Sequence, residues 1–117
     1  MIYYATLTGN VRRFIAKTGL QAEEIKPGLI ANKRFILVTY TIGLGEVPAV
    51  VADFLKENGE LLAGVAVSGN RNWGDYYGRA GDIIAKEYGV PLMLKFELAG
   101  TQDDVNKFKE KVIQCNI

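Results

Sequence analysis

Short, unbroken apolar runs alternate along this chain with stretches in which apolar residues recur every three or four positions. Ile2–Ala5, Phe35–Val38, Leu61–Val67 and Leu92–Leu94 are of the first kind. Runs without polar alternation suit strands covered on both faces, as in a parallel sheet. Ala22–Ile25 is a weaker candidate, and its polar content and the following Pro27-Gly28 mark an edge strand with a turn after it.

The second kind predicts helices. Val47, Val50, Val51, Phe54 and Leu55 follow the i, i+3, i+4, i+7, i+8 pattern, with Pro48 at the start and Asn58-Gly59 as the stop. Tyr76, Tyr77, Ala80, Ile83, Ile84 and Tyr88 predict another helix, ending at Gly89 before Pro91. Val105, Phe108, Val112 and Cys115 share one face of a C-terminal helix, which Thr101–Asp104 opens with capping-box spacing. Asn10–Thr18 is a shorter first helix, with Val11, Phe14 and Ile15 as its apolar side and Gly19 as its stop.

The resulting order, β-α-β-β-α-β-α-β-α, predicts an α/β fold with helices on both faces of one parallel sheet. Right-handed crossovers and five strands favour the order 2-1-3-4-5, with ligands bound beyond the carboxyl ends of strands one, three and four. At 117 residues the chain has the length of one domain, and residues 1–117 are expected to form it.

Composition narrows the chemistry. Net charge is +1 with no basic block, so nucleic acid is not an expected partner. Apolar stretches fall short of the ~18 residues of a membrane span, and no export leader is expected. The absence of histidine removes imidazole catalysis and His-containing metal sites. Cys115 stands alone, which excludes an intrachain disulfide or a Cys-x-x-Cys redox pair and fits a reducing cytoplasm. Any redox chemistry must come from a bound cofactor. Cys115 itself reads as packing, and Arg12 and Arg13 read as solvated or partner-facing charges.

Three loops carry the candidate chemistry. Thr6, Leu7, Thr8, Gly9, Asn10 and Val11 join the first strand to the first helix. Their hydroxyls and free backbone N–H groups, aided by the helix dipole, make an anion cradle; ordinary N-capping by Thr8 or Asn10 is an equal alternative. No Gly-Lys-Ser/Thr follows, so the loop is not of the Walker type. Gly43-Leu44-Gly45 is only a weak dinucleotide match, and the acidic strand ends of a receiver domain are missing.

The second loop, Thr39, Tyr40, Thr41, Ile42, Gly43, Leu44, Gly45 and Glu46, offers an aromatic and two exposed aliphatics to one side of a flat ring, or is a flexible turn. The third, Ser68, Gly69, Asn70, Arg71, Asn72, Trp73, Gly74, Asp75 and Tyr76, sets the only tryptophan in a polar segment. A ring contact explains it, as does a loop anchor packed on Tyr76 or Tyr77. Three such loops at adjacent strand ends describe a site for a phosphorylated planar ring.

At this point a family resemblance is specific. Thr8–Phe14, Val38–Thr41 with Gly45–Pro48, Ser68–Tyr77 and Lys95–Thr101 resemble the motifs of the NrdI-type flavodoxins, the FMN partners of class Ib ribonucleotide reductases. The resemblance covers nearly the whole chain and implies a flavodoxin-like three-layer sandwich with FMN as cofactor. It also implies that the reduced FMN reacts with dioxygen and that superoxide passes to the dimanganese centre of the reductase's radical-bearing subunit. A flavin reductant is then needed, which these motifs do not identify. The implied phosphate contacts are Thr6, Thr8, Gly9, Asn10 and Val11. The implied ring contacts are the Tyr40–Gly45 loop with Asn70, Trp73, Gly74 and Tyr76. A general electron-carrier flavodoxin and a non-redox module on the same fold are the rival readings.

Overall fold

The computed structural model describes residues 1–117. Five parallel strands, β1 (Ile2–Tyr4), β2 (Ala22–Glu24), β3 (Phe35–Tyr40), β4 (Leu62–Gly69) and β5 (Leu92–Glu97), pair in the order β2-β1-β3-β4-β5. Four helices flank them: α1 (Asn10–Thr18), α2 (Ala49–Asn58), α3 (Arg79–Tyr88) and α4 (Gln102–Cys115). The strand order and the helices on both faces are those the alternation of runs predicts, and together they form the flavodoxin-like sandwich that the resemblance implies.

The continuous apolar runs follow from burial on both faces. Side chains alternate across a strand, so Tyr3, Phe35 and Leu37 enter one core with α2 and α3, while Ile2, Ile36 and Val38 enter the other with α1 and α4. Phe14 of α1 stacks on Phe96 of β5 at 3.9 Å between centroids and meets Phe108 of α4 edge-on. Tyr3, Phe35 and Phe54 form the matching aromatic group on the other side. Such pairs add roughly 0.5–1.5 kcal/mol each to area burial.

The edge strand behaves as its composition suggests. β2 pairs only with β1, and the Leu29 N–H closes a turn onto the Lys26 carbonyl around Pro27-Gly28. The connection to β3 is then tied to α2 by Asn58, which is buried. Its Oδ1 accepts from the Ala31 N–H at 2.7 Å, and its Nδ2 donates to the carbonyls of Leu29 and Phe54.

Some helix ends differ from the expectation. The helix predicted from Tyr76 begins only at Arg79, because Gly78 takes a left-handed conformation (φ 62°) immediately before it. Tyr76 belongs instead to a 3₁₀ segment, Arg71–Tyr76, kinked at Gly74, and Tyr77 lies between the two. The stop at Asn58-Gly59 is in the right place for another reason. Gly59 is right-handed (φ −59°) and opens a short 3₁₀ turn, and the Tyr88 side chain occupies the space that a Cβ there would need.

At the start of α2, Pro48 is an extended cap (ψ 142°) and Val47 lies outside the helix, while the remaining ends follow the sequence. Gly19 and Gly89 close α1 and α3 in left-handed conformations. Thr101 and Asp104 form the capping box of α4. Cys115 is half-buried against the α1–α4 core.

Candidate functional site

The strand order places the site. The chain leaves β1 toward one face and β3 toward the other, so their loops diverge and open a crevice at the carboxyl edge of the sheet. A cavity of about 230 Å³ lies there, lined from the β1 loop by Thr6, Leu7, Thr8, Asn10 and Val11. Tyr40 and Thr41 line it after β3, Ser68, Gly69, Asn70 and Trp73 after β4, and Leu98 after β5. No lining residue is charged.

The β1 loop is drawn tight by the Gly9 N–H donating to Thr6 Oγ1 at 3.1 Å. Gly9 precedes α1 with φ 87°, a conformation that favours glycine, and no side chain caps the helix. Asn10 Nδ2 donates to Thr8 Oγ1 at 3.3 Å, so these two candidate caps are turned toward each other. The N–H groups of Asn10, Val11 and Arg12 consequently have no acceptor within the protein. Unpaired N–H groups at a helix N-terminus are an anion site by geometry and by dipole.

The two arginines that follow have different partners. Arg12 forms a hydrogen-bonded ion pair with Glu24 on β2 at 2.7 Å, which raises its pKa. Arg13 folds back over the loop, donating to Asn10 Oδ1 at 2.7 Å and to the Thr8 carbonyl at 3.5 Å. Both side chains remain exposed, as solvated charges would, and these contacts add a local partner to each.

The segment after β3 is an ordered turn. Ile42 and Glu46 exchange backbone hydrogen bonds, Ile42 N–H to Glu46 at 3.0 Å and Glu46 N–H to Ile42 at 2.7 Å. Arg79 backs it, with its side chain packed on Gly45 and Nη1 donating to the Leu44 carbonyl at 3.4 Å.

The β4 loop is braced from β5. Ser68 Oγ donates to the Leu98 carbonyl at 2.6 Å, the Leu98 N–H to the Gly69 carbonyl at 3.0 Å, and the Arg71 N–H to Glu97 Oε2 at 3.1 Å. Gly69 has no room for a side chain, since a Cβ would lie 2.9 Å from the Gly78 nitrogen. Asn70 Oδ1 accepts from the Asn72 N–H and starts the 3₁₀ segment that carries Trp73.

A family model described as NrdI flavodoxin-like matches residues 2–110 of this sequence. The chain belongs to that family.

Among curated NrdI relatives, Protein NrdI of Macrococcus caseolyticus is 50% identical, covering 96% of this chain and 88% of its own length. The SPbeta prophage-derived protein NrdI of Bacillus subtilis is 46% identical, covering 93% and 88%. Among solved structures, a short-chain flavodoxin associated with a non-canonical PDU bacterial microcompartment superposes with a TM-score of 0.66 at 22% identity, covering 97% of this chain and 95% of that one. That likeness concerns the fold alone.

In this NrdI-family chain the expected site residues separate into two groups. Thr6, Leu7, Thr8, Asn10, Val11, Tyr40, Thr41, Gly69, Asn70 and Trp73 line the cavity together. Gly9 shapes its loop without lining it, and Thr39 is fully buried with its hydroxyl donating to the Tyr40 carbonyl. Ile42, Gly43, Leu44 and Gly45 stand on the turn beside the cavity, and Gly74, Asp75 and Tyr76 on the far part of the 3₁₀ segment. Ser68 and Leu98 line the cavity although neither was an expected contact. Ser68 opens the third loop directly after the apolar run Leu61–Val67, and Leu98 lies within the Lys95–Thr101 segment, whose local pattern gives it no contact role.

A larger groove of about 670 Å³ runs between Lys26–Ile30 and α2. The buried polar side chain on it, Asn58, is engaged with the protein's own backbone. The unpaired N–H groups make the strand-end cavity the stronger candidate, despite its smaller volume.

Proposed function

We propose that this NrdI-family protein holds one FMN at the strand-end cavity and supplies oxidant to the radical-bearing subunit of a class Ib ribonucleotide reductase. The observation that carries the FMN assignment is the set of unpaired N–H groups at Asn10, Val11 and Arg12, beside the Thr6 and Thr8 hydroxyls and an uncharged cavity with two aromatic side chains. A phosphate monoester suits the first part, and a planar ring suits the second.

When bound and reduced, FMN supplies the electrons that convert dioxygen to superoxide, the oxidant proposed to assemble the partner's dimanganese-tyrosyl radical cofactor. The chain's own residues position and tune it. The β1 loop binds the phosphate through backbone N–H and hydroxyl donors, with Arg13 securing the loop from outside. Tyr40 and Trp73 offer ring faces, and Trp73 remains 43% exposed. The cavity is smaller than the roughly 300–1,000 Å³ that encloses a drug-sized ligand. A cavity of this size would leave part of a bound flavin uncovered beside the exposed Trp73, open to dioxygen.

Charge bears on the redox balance. The lining residues are uncharged, and Glu97, close by, is engaged with the Arg71 N–H. Negative charge added to the ligand on full reduction meets little local repulsion. The two one-electron potentials should then lie close together, which a spectroelectrochemical titration would read.

The deciding experiment has two stages. The purified protein should be yellow or become so with stoichiometric FMN. Reduced and mixed with the manganese-loaded radical subunit and dioxygen, it should then generate a tyrosyl radical by electron paramagnetic resonance. Added superoxide dismutase should not abolish the yield if oxidant passes directly between the proteins. Flavin binding without radical formation would favour a general electron carrier.

A further inference from the structure

Leu98 has a backbone conformation that leucine rarely adopts. Its φ is 55°, in the left-handed region where the Cβ of an L-residue crowds the following carbonyl. The other non-glycine residue with positive φ is Asn116, at the end of α4, where asparagine is common. Glycine would tolerate this position without strain, and the same turn uses glycine at Gly100, with φ 73°.

The conformation is held from both sides of the residue. The Leu98 N–H donates to the Gly69 carbonyl, and the Leu98 carbonyl accepts from Ser68 Oγ at 2.6 Å. Gly100 N–H then turns back to the Glu97 carbonyl at 2.9 Å. Those bonds use only backbone atoms of Leu98, so they explain the fold of the turn but not the choice of a leucine.

Core packing does not explain it either. The Leu98 side chain belongs to neither apolar core and is 50% exposed. It lines the strand-end cavity instead, beside Leu7, Val11, Tyr40 and Trp73, which give the wall its apolar part. Strained backbone at an unpacked residue is characteristic of ligand contacts, where the side chain has a use that the free protein does not reveal.

We infer that Leu98 is a ligand-contact residue, its left-handed backbone directing an apolar side chain to the cavity so that it covers the bound flavin and excludes water beside it. This rests on the flavin assignment of the same cavity. The leucine at this position stabilises the complex at the expense of the free chain.

Leu98→Gly and Leu98→Ala, compared with the native protein, test this. Each is stripped of flavin, measured by thermal denaturation, and titrated with FMN by flavin fluorescence. Both variants should bind FMN about tenfold more weakly, as expected for losing a partly buried aliphatic contact. The flavin-free Leu98→Gly protein should melt at or above the native temperature, since glycine removes the strain. Lower melting with unchanged FMN affinity would assign Leu98 a purely structural role and overturn the inference. Native affinity in both variants would overturn it as well. If the native chain itself fails to bind FMN, the flavin assignment falls and the role of Leu98 falls with it.

Discussion

The Arg13 guanidinium donates to Asn10 Oδ1 at 2.7 Å, and through this contact a basic side chain braces the loop that precedes its own helix. The same nitrogen approaches the Thr8 carbonyl, so Arg13 bears on both sides of Gly9. Replacing it, as in Arg13→Gln, should raise the FMN dissociation constant about three- to tenfold. Riboflavin, which lacks the phosphate, should bind the native and variant proteins alike. Parallel fluorescence titrations with the two flavins read this difference, and equal losses for both would separate Arg13 from the phosphate.

Trp73 is the only tryptophan and lines the cavity. Its emission should fall on adding FMN, in proportion to the fraction bound. Trp73→Ala should weaken FMN binding by about tenfold or more, from the loss of an aromatic face and its buried area. Tryptophan fluorescence during titration checks the first, and flavin fluorescence the second.

Asn58 should matter to stability and not to binding. Asn58→Ala leaves the Ala31 N–H without its acceptor and removes two further hydrogen bonds. A loss of about 2–3 kcal/mol in urea denaturation is expected, typical of an abandoned buried polar group. FMN affinity should be unchanged, because Asn58 faces the β2–β3 connection and not the strand-end cavity.

The rim beside the cavity is the expected docking surface for the reductase subunit. Leu44 is 67% exposed on the Ile42–Glu46 turn, and Arg71 is exposed at the start of the 3₁₀ segment. Leu44→Ala with Arg71→Ala should weaken binding to the radical subunit at least about tenfold while FMN affinity stays within about twofold. Calorimetry with the purified subunit measures it, and unchanged affinity would place the interface elsewhere.

Stability should decline in alkali for an identifiable reason. Burial, with Glu23 nearby, raises the pKa of Tyr3, and burial, with Glu87 nearby, raises that of Tyr88. A phenol whose pKa is higher in the folded state retains its proton there when the unfolded chain has lost it. Its contribution is present below about pH 10 and is lost as pH rises through the folded value. Denaturation midpoints should therefore fall above about pH 10, and Tyr88→Phe should flatten that limb.

Much of the architecture was legible because it depends on local pattern. The apolar runs of β1, β3, β4 and β5 can bury both faces only inside a helix-covered sheet, and the stops at Gly19 and Gly89 use the one residue that turns left without strain. Tyr76 and Tyr77 misled for the same reason. Their spacing fits the face of α3, but Gly78 turns the backbone before the helix can extend to them. The pattern of side chains records which faces are apolar and carries little about φ at a single glycine.

The site divides in the same way. The three candidate loops could be read from the sequence alone, because hydroxyls, glycines and a lone tryptophan after apolar runs are local facts. It left phosphate cradle and ordinary helix cap as equal alternatives, and in the tertiary structure no side chain caps α1. Thr8 and Asn10 are turned toward each other, Arg13 holds the loop from outside, and the N–H groups of α1 are left without protein acceptors. Leu98 and Ser68 reach the cavity only because β5 lies beside β4 and pins the end of that strand. Partners 30 residues apart and a left-handed leucine are products of strand order and long-range hydrogen bonding, which no local pattern encodes.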